Sequence, residues 1–233
     1  MVADTPFLKA AQLKERFAVY GTFYQLVIEG EEHSCRSLLE LVSHHIPASQ
    51  VKDHPPDLWV IMMNPGSSHP WPVSYAPPRV ERVNQILSHL QWLPTRPDNT
   101  QYQIMRVMAV RGYQHARVMN LSDLREPKSN LLMEKIAHLA GKPHGGVHSI
   151  FCGERLPELQ MVMPPESAPV LVGWGRHAAL LPLARQCLQR LQGRRLVGVA
   201  VGEGLYAHPS PMLQRLKDQW VVDLLAQLSD LPS

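Results

Sequence analysis

The segment Leu58–Ser68, LWVIMMNPGSS, decides the fold that we predict for this chain. Its first six residues form a continuous apolar run, which has the length of a strand buried on both faces of a sheet. Asn64-Pro65-Gly66 follows at once, and such a combination of residues ends a strand in a tight turn. The sequence therefore predicts a buried strand whose carboxyl end opens into a polar loop.

Strand and helix patterns alternate along the rest of the chain. Other short apolar runs predict strands at Ala116–Met119, Pro169–Val172 and Leu196–Val201. Apolar residues at helical spacing predict helices over Thr100–Val110, Ser129–Ala140 and Ala178–Leu191, and one that includes Val80, Val83, Leu87 and Leu90. A last helix is expected to start with Ser210 as its N-cap and Pro211 as its first residue. This alternation predicts an α/β protein of three layers, α/β/α, with a mostly parallel central sheet.

The N-terminal part of the chain has a different pattern. In RFAVYGTFYQLVIEG, aromatic and β-branched residues flank Gly21, which predicts a β-hairpin or a pair of edge strands. Ser34–His45 has the pattern of a short helix that ends before Pro47. We therefore expect a single domain over residues 1–233, with a hairpin-and-helix extension at 1–50 that precedes an α/β core at 57–228.

Composition narrows the class of protein. The chain has 233 residues, of which 45% are hydrophobic and 18% charged, as in a globular domain with a sizeable core. No apolar run approaches the roughly 18 residues of a membrane span, and the first residues lack a signal pattern, so we expect a cytoplasmic protein without membrane contact. The net charge of +3 permits contact with nucleic acid without requiring it.

Neither the cysteines nor the histidines predict a metal site or cofactor. Cys35, Cys152 and Cys187 are far apart in the sequence, and an odd number without a CxxC pair argues against a disulfide framework or a cluster. His144 and His148, in HGGVH, have a metal-like spacing but no evident third ligand. We therefore expect no metal and no cofactor, and the sequence gives no oligomeric state.

Four polar or glycine-rich segments follow the predicted strands. They are Asn64-Pro65-Gly66, Asn120, Gly173-Trp174-Gly175 and, a few residues after the last strand, His208. Ligands of parallel α/β sheets bind outside the carboxyl ends of the strands. The predicted fold therefore brings four distant segments to one edge of the sheet, where we expect the functional site.

These segments, in this order, resemble the motifs of the uracil-DNA glycosylase superfamily. IMMNPGSS resembles the first motif, most closely the GINPG form of the mismatch-specific branch. RVMNLSDLR resembles the strand whose terminal asparagine reads the flipped base, VLVGWGRHA resembles the LLWGxxA segment, and HPSPM resembles the HPSPL loop. The resemblance covers about Leu58 to Leu225 and implies a glycosylase-like fold, a hydrolase of DNA repair, and nucleic acid or a nucleotide as partner.

The middle of the chain is also similar to an uncharacterised bacterial family, known only as a domain of unknown function. The similar segments are WVIMMNPGSS, TQYQIMRVMAVRGYQHARVMNLSDLRE and GWG. That family usually has NPS followed by an aspartate-rich stretch, whereas this chain has Gly66 as the third residue and lacks the aspartates. The chain is identified as a member or near relative of that family, on the glycosylase-like fold.

The glycosylase resemblance implies two catalytic candidates, His208 and Asn64. His208 would donate a hydrogen bond to an oxygen that gains charge as the base leaves, and each such donor is worth about 2.7–4 kcal/mol. Asn64 stands where the efficient branch has an aspartate, and an asparagine can orient a water but cannot take its proton. The resemblance therefore implies a slow N-glycosylase on a damaged or modified base, or a non-catalytic binding module that retains the pocket.

The remaining candidates would bind the base or the nucleic acid. The Asn120 amide offers a donor and an acceptor to a pyrimidine edge, and Gly66 and Ser67 are also expected to bind the substrate. Trp71 and Tyr75 would stack on the base, and Met212 would wedge into the minor groove. Contacts to nucleic acid are also expected from Ser210, Arg125 and Lys128. For each residue a local role stays open: a turn, a helix cap, packing, or a solvated charged face.

Overall fold

The computed structural model describes residues 7–51, 53–83, 86 and 91–229. The strands are β1 Phe17–Ile28, β2 Glu31–Ser43, β3 Leu58–Met62, β4 Arg79–Val80, β5 Trp92–Pro94, β6 His115–Asn120, β7 Val170–Val172, β8 Leu196–Val197, β9 Ala200–Gly202 and β10 Leu205–Tyr206. The α-helices are α1 Ala10–Lys14, α2 Asn99–Arg111, α3 Ser129–Ala140, α4 Leu156–Val162, α5 Leu181–Arg190 and α6 Gln214–Ser229. Among the described helices, none has both the length and the apolar character that a membrane span needs.

One central sheet organises the molecule, in the order β4-β1-β2-β6-β3-β7-β8, and β5 also pairs with β1. The neighbours β6, β3, β7 and β8 are parallel to one another, whereas β2 pairs antiparallel with β1 and β6. One core cluster includes buried side chains of α3, α4 and α5, and a second includes those of α2 and α6. The prediction of an α/β protein with a mostly parallel central sheet is confirmed.

The helix predicted at Ser34–His45 is wrong, because this segment is part of β2. Residues 35–43 are all buried, and β2 lies between β1 and β6 inside the sheet. Leu38 belongs to one core cluster, and Leu39 and Leu41 belong to the other. A strand covered on both faces carries apolar side chains on both, so its sequence lacks the simple alternation of a half-buried strand.

Gly21 does not form the hairpin turn. β1 continues through it to Ile28, and the turn to β2 is at Glu29 and Gly30, which both have positive φ angles, 48° and 82°. Gly21 lies at a register irregularity, where a Cβ atom would be 2.9 Å from Thr95 Oγ1. Glycine is therefore needed at this position because Thr95 approaches the backbone closely, and not because the chain turns there.

Three other predictions differ in detail from the structure. The strand predicted at Leu196–Val201 is interrupted, because the Gln227 side chain bonds both backbone groups of Gly198, at 3.0 and 3.2 Å. Ser210 does not cap the last helix, which begins at Gln214. Of the helix predicted around residues 80–90, Val80 instead lies in β4, and Leu87 and Leu90 lie outside the described residues.

Candidate functional site

A cleft of about 300 Å³ opens at the carboxyl ends of β3 and β6. Its lining brings together five of the expected residues, which are Asn64, Gly66, Ser67, Asn120 and His208. The N-terminus of α2 forms another wall, with Asp98–Gln101. The parallel strands cause this convergence, because their carboxyl ends share one edge of the sheet.

Asn64 ties the end of β3 to the loop that follows β6. Its Nδ2 donates to the carbonyl oxygens of Leu124, at 3.0 Å, and Glu126, at 2.8 Å. These contacts account for the amide at this position, because an aspartate has no N–H and would set a negative charge against both carbonyls. Only Oδ1 of the side chain is left to meet a ligand.

Asn120 is fully buried at the end of β6. With its amide oriented to satisfy both neighbours, Nδ2 donates to the Asn64 carbonyl at 3.3 Å and Oδ1 accepts from Arg36 Nη2 at 3.2 Å. Its amide thus joins β3, β6 and β2 at the floor of the cleft. In this arrangement Asn120 positions Arg36. Both polar atoms of the Asn120 side chain are engaged within the protein, which leaves it little capacity to bind a base.

His208 presents a neutral imidazole to the cleft. The backbone N–H of Ser210 donates to its Nδ1 at 3.1 Å, so the proton of the neutral ring is on Nε2. Burial lowers the pKa of His208 below its usual value of 6.5, although the Asp98 carboxylate acts in the opposite direction. At neutral pH the ring therefore has one N–H donor, Nε2–H, for a ligand.

The Gly173-Trp174-Gly175 turn is not part of the cleft lining, but it holds the strand before His208. The Gly175 N–H donates to the Tyr206 carbonyl at 2.7 Å. The fully buried Trp174 donates from Nε1 to the Gly204 carbonyl at 3.0 Å and meets the Tyr206 ring edge-on. A Cβ atom on Gly173 would be 3.3 Å from the Ala207 carbonyl oxygen. The turn therefore positions the His208 loop.

Sequence reasoning missed two charged residues of the cleft, Arg36 and Asp98. The pattern around Arg36 predicts a helix and not the strand β2, so it gives no sign that Arg36 reaches the cleft. Asp98 caps α2, with Oδ1 accepting from the N–H groups of Thr100 and Gln101 at 2.8 and 3.0 Å, and Gln101 bonds back to the Asp98 N–H. The spacing Asp98-x-x-Gln101 is a capping box, a signal that the sequence does contain.

The aromatic candidates are outside the cleft. The Trp71 side chain is 60% exposed, and its backbone N–H donates to the Pro94 carbonyl. Tyr75 is half-buried in the same proline-rich loop and does not line the cleft. In this structure neither ring is placed to stack on a ligand in the cleft.

Met212 and Ser210 are beside the cleft but not in it. Met212 is 99% exposed and lines a separate groove of about 560 Å³, which His208 also borders. Ser210 acts through its backbone N–H on the His208 ring. The structure thus has Met212 outside the pocket and Ser210 as a support for His208.

Of the two basic candidates, Arg125 is engaged within the protein. Its Nε donates to the Ser68 carbonyl at 2.6 Å, and its guanidinium is 5.5 Å from the centre of the Phe23 ring. Lys128 is exposed before α3, and its backbone N–H donates to the Glu126 side chain. Arg125 therefore braces the loop after Asn64, and Lys128 belongs to the solvated surface.

The HGGVH segment has structural partners. Exposed His144 pairs with Glu154 at 2.7 Å, whereas His148 is buried. Within the described ranges, no three His, Cys, Asp or Glu side chains form a group that could hold a metal ion. The two histidines have separate surroundings.

The burial of His148 predicts acid sensitivity. Burial, helped by the charges of Arg155 and His33, lowers the pKa of His148 from 6.5 to about 4. Above pH 6.5 both folded and unfolded forms hold a neutral ring. Below it the unfolded chain takes up a proton first, so the free energy of unfolding should fall by roughly 3 kcal/mol towards pH 4.

Urea unfolding between pH 7 and pH 4 tests this dependence. His148→Leu should flatten the profile, whereas His45→Leu, at an exposed histidine, should leave it unchanged. Parallel profiles for wild type and His148→Leu would show that His148 is not the group responsible.

The cleft combines donors and acceptors with limited volume. His208 Nε2–H and Arg36 are donors, and Asn64 Oδ1 and Asp98 are acceptors. About 300 Å³ is at the lower end of the range for small-molecule sites.

Comparison of the chain with protein-family models, with curated proteins and with solved structures found no match.

Proposed function

We propose that this protein recognises a nucleobase or nucleotide in the cleft at the carboxyl edge of its sheet. The observation that carries the proposal is that Asn64, Asn120 and His208, far apart in sequence, line one small cavity. Base edges alternate carbonyl oxygens with N–H groups, and the cleft offers the neutral His208 donor together with carbonyl and carboxylate acceptors. The glycosylase-like motifs described above support the same class of ligand.

A second candidate function is a slow N-glycosylase that acts on a damaged or modified base in DNA. Two groups in the cleft favour it. The neutral His208 would stabilise charge on the departing base, and Asp98 supplies a carboxylate where Asn64 cannot take a proton. One Asp98 oxygen caps α2, which leaves the other to orient water. With one carboxylate oxygen committed to the helix, we expect slow hydrolysis.

Binding titrations and excision assays separate the two functions. Nucleosides and nucleotides are titrated calorimetrically into the protein. In parallel, single- and double-stranded oligonucleotides with uracil, mismatched thymine or hydroxymethyluracil are assayed for abasic sites. Abasic sites would support the glycosylase, and binding without excision would support the recognition module. Neither binding nor excision would refute both.

His208→Ala tests the site. We expect binding to weaken about 10-fold or more, because a buried hydrogen bond to the ligand is lost. The free energy of unfolding should change by only about 1 kcal/mol. His45→Ala, at an exposed histidine, is the control and should change neither quantity. Unchanged binding by His208→Ala, together with a large loss of stability, would assign His208 to loop structure alone.

A further inference from the structure

Arg36, on β2, is a buried arginine that borders the cleft and has two donors without acceptors. Its side chain is 2% exposed and lines the cleft. Nη2 donates to Asn120 Oδ1, but Nε and Nη1 are buried and have no hydrogen-bond partner within the described ranges. Buried charged donors without acceptors are costly and rare, which points to an acceptor supplied by a ligand.

Among the described residues, Arg36 also lacks a close ion-pair partner. No carboxylate of the described residues is within 4.0 Å of its guanidinium. Burial lowers its pKa to about 10, with Asp98 and Asp123 acting in the opposite direction, so the group remains protonated at neutral pH. A buried cation without a close partner is strongly unfavourable, and an anion entering the cleft would relieve this.

The other titratable groups of the cleft leave Arg36 as the attractive charge for an anion. His208 is neutral at pH 7, because burial lowers its pKa. Asp98 is negative, but its Oδ1 accepts from two N–H groups at the start of α2, where the helix dipole offsets its charge. An anionic group that reaches the floor of the cleft is therefore drawn to Arg36.

We propose that Arg36 binds the terminal phosphate of a mononucleotide, an inference that rests on the proposed nucleotide recognition. Guanidinium and phosphate form strong charge-assisted hydrogen bonds. A terminal phosphate can enter a small cleft because the rest of its molecule extends from one side only. An internal phosphodiester carries chain on both sides, so a cleft of about 300 Å³ beside a buried guanidinium favours a terminal phosphate over it. On this proposal the ligand is a free nucleotide, which favours the recognition module over the glycosylase that acts on DNA.

Calorimetry on the wild-type protein tests this with four kinds of ligand. These are ribonucleosides, their 5′-monophosphates, inorganic phosphate and a short single-stranded oligonucleotide without terminal phosphate. We expect at least one monophosphate to bind about 10- to 100-fold more tightly than its nucleoside, and the oligonucleotide to bind more weakly than that monophosphate.

Each other outcome has a distinct meaning. A nucleoside that binds as tightly as its monophosphate would overturn the phosphate site and leave the proposed nucleobase recognition standing. An oligonucleotide that binds as tightly as the mononucleotide would overturn the terminal-phosphate assignment. Binding of inorganic phosphate without any nucleoside or nucleotide would support the anion site and refute the proposed function. No binding at all would refute both.

Arg36→Gln removes the charge but keeps a polar amide near the position of Nε. We expect this variant to bind nucleoside and nucleotide equally well. Arg96→Gln, at an exposed arginine near the same wall, is the matched control and should keep the wild-type preference. Retention of the preference in Arg36→Gln would overturn the proposal. If that variant does not fold, the ratio of the wild-type affinities for the monophosphate and its nucleoside tests the proposal.

Discussion

Arg155→Ala is expected to lower the free energy of unfolding by about 3–5 kcal/mol. Arg155 is fully buried and bonds two carboxylates, through Nη1 to Asp123 Oδ2 at 2.7 Å and through Nε and Nη2 to Glu158 at 2.7 and 2.6 Å. Tyr24 Oη donates to the same Asp123 oxygen. Truncation would leave two buried carboxylates without their cation, and domains of this kind have only about 5–15 kcal/mol of stability in total.

Urea unfolding followed by circular dichroism measures this loss. Arg185→Ala, at an exposed arginine of α5, is the matched control and should change stability by no more than about 0.5 kcal/mol. Arg155→Lys keeps the charge without the planar fork, so we expect an intermediate loss. If Arg155→Ala costs less than about 1 kcal/mol, the buried ion network does not stabilise the fold.

The network also supports the candidate site. Asp123 follows the buried end of β6, and its carbonyl accepts from the backbone N–H of Arg36 at 2.9 Å. Arg155 Nη2 donates to Ser37 Oγ, next to Arg36, at 3.2 Å. A variant at Arg155 that still folds should therefore also weaken ligand binding, because it loosens the segment on which Arg36 lies.

Gly145→Ala is the second large effect that we expect, with a loss of at least about 3 kcal/mol. A Cβ atom at residue 145 would lie 1.7 Å from the Leu139 carbonyl oxygen, and this is backbone that cannot rotate away. The short 3-10 helix at Gly145–His148 would have to shift. Its Val147 carbonyl accepts from Arg155, and its His148 carbonyl accepts from the Asp123 N–H, so the shift would reach the buried ion network.

The next residue supplies the control. A Cβ atom on Gly146 would meet nothing within 4 Å, so Gly146→Ala should change stability by less than about 1 kcal/mol. Thermal melts compare the melting temperatures of the two variants, which carry the same substitution at adjacent positions. Equal melting temperatures for both variants would contradict the predicted clash.

Local patterns predicted much of the α/β core. The apolar run of β3, the helical spacing of α2 and the apolar run of β7 each appear in the structure near the expected residues. These signals are local, because a helix repeats its pattern every few residues and a fully buried strand is a short apolar run. β2 was missed for the opposite reason, since burial on both faces removes the alternation that identifies a strand.

The candidate site was also predictable only in part. Asn64, Asn120 and His208 could be expected near one another, because the carboxyl ends of parallel strands meet at one edge. The partners of their side chains could not be predicted. Asn64 bonds carbonyls 60 and 62 residues away, and Asn120 bonds a guanidinium on β2. Nothing in the local sequence of either asparagine specifies those contacts.

By itself, therefore, the sequence determined the alternation of strands and helices and the edge at which polar residues gather. Only the tertiary structure decided how these residues are used. It commits the Asn64 and Asn120 amides to the framework, sets the neutral His208 at the cleft, and buries Arg36 beneath it. The physical reason is that strand and helix patterns follow from neighbours along the chain, whereas hydrogen-bond partners and burial depend on segments that meet only in the folded protein.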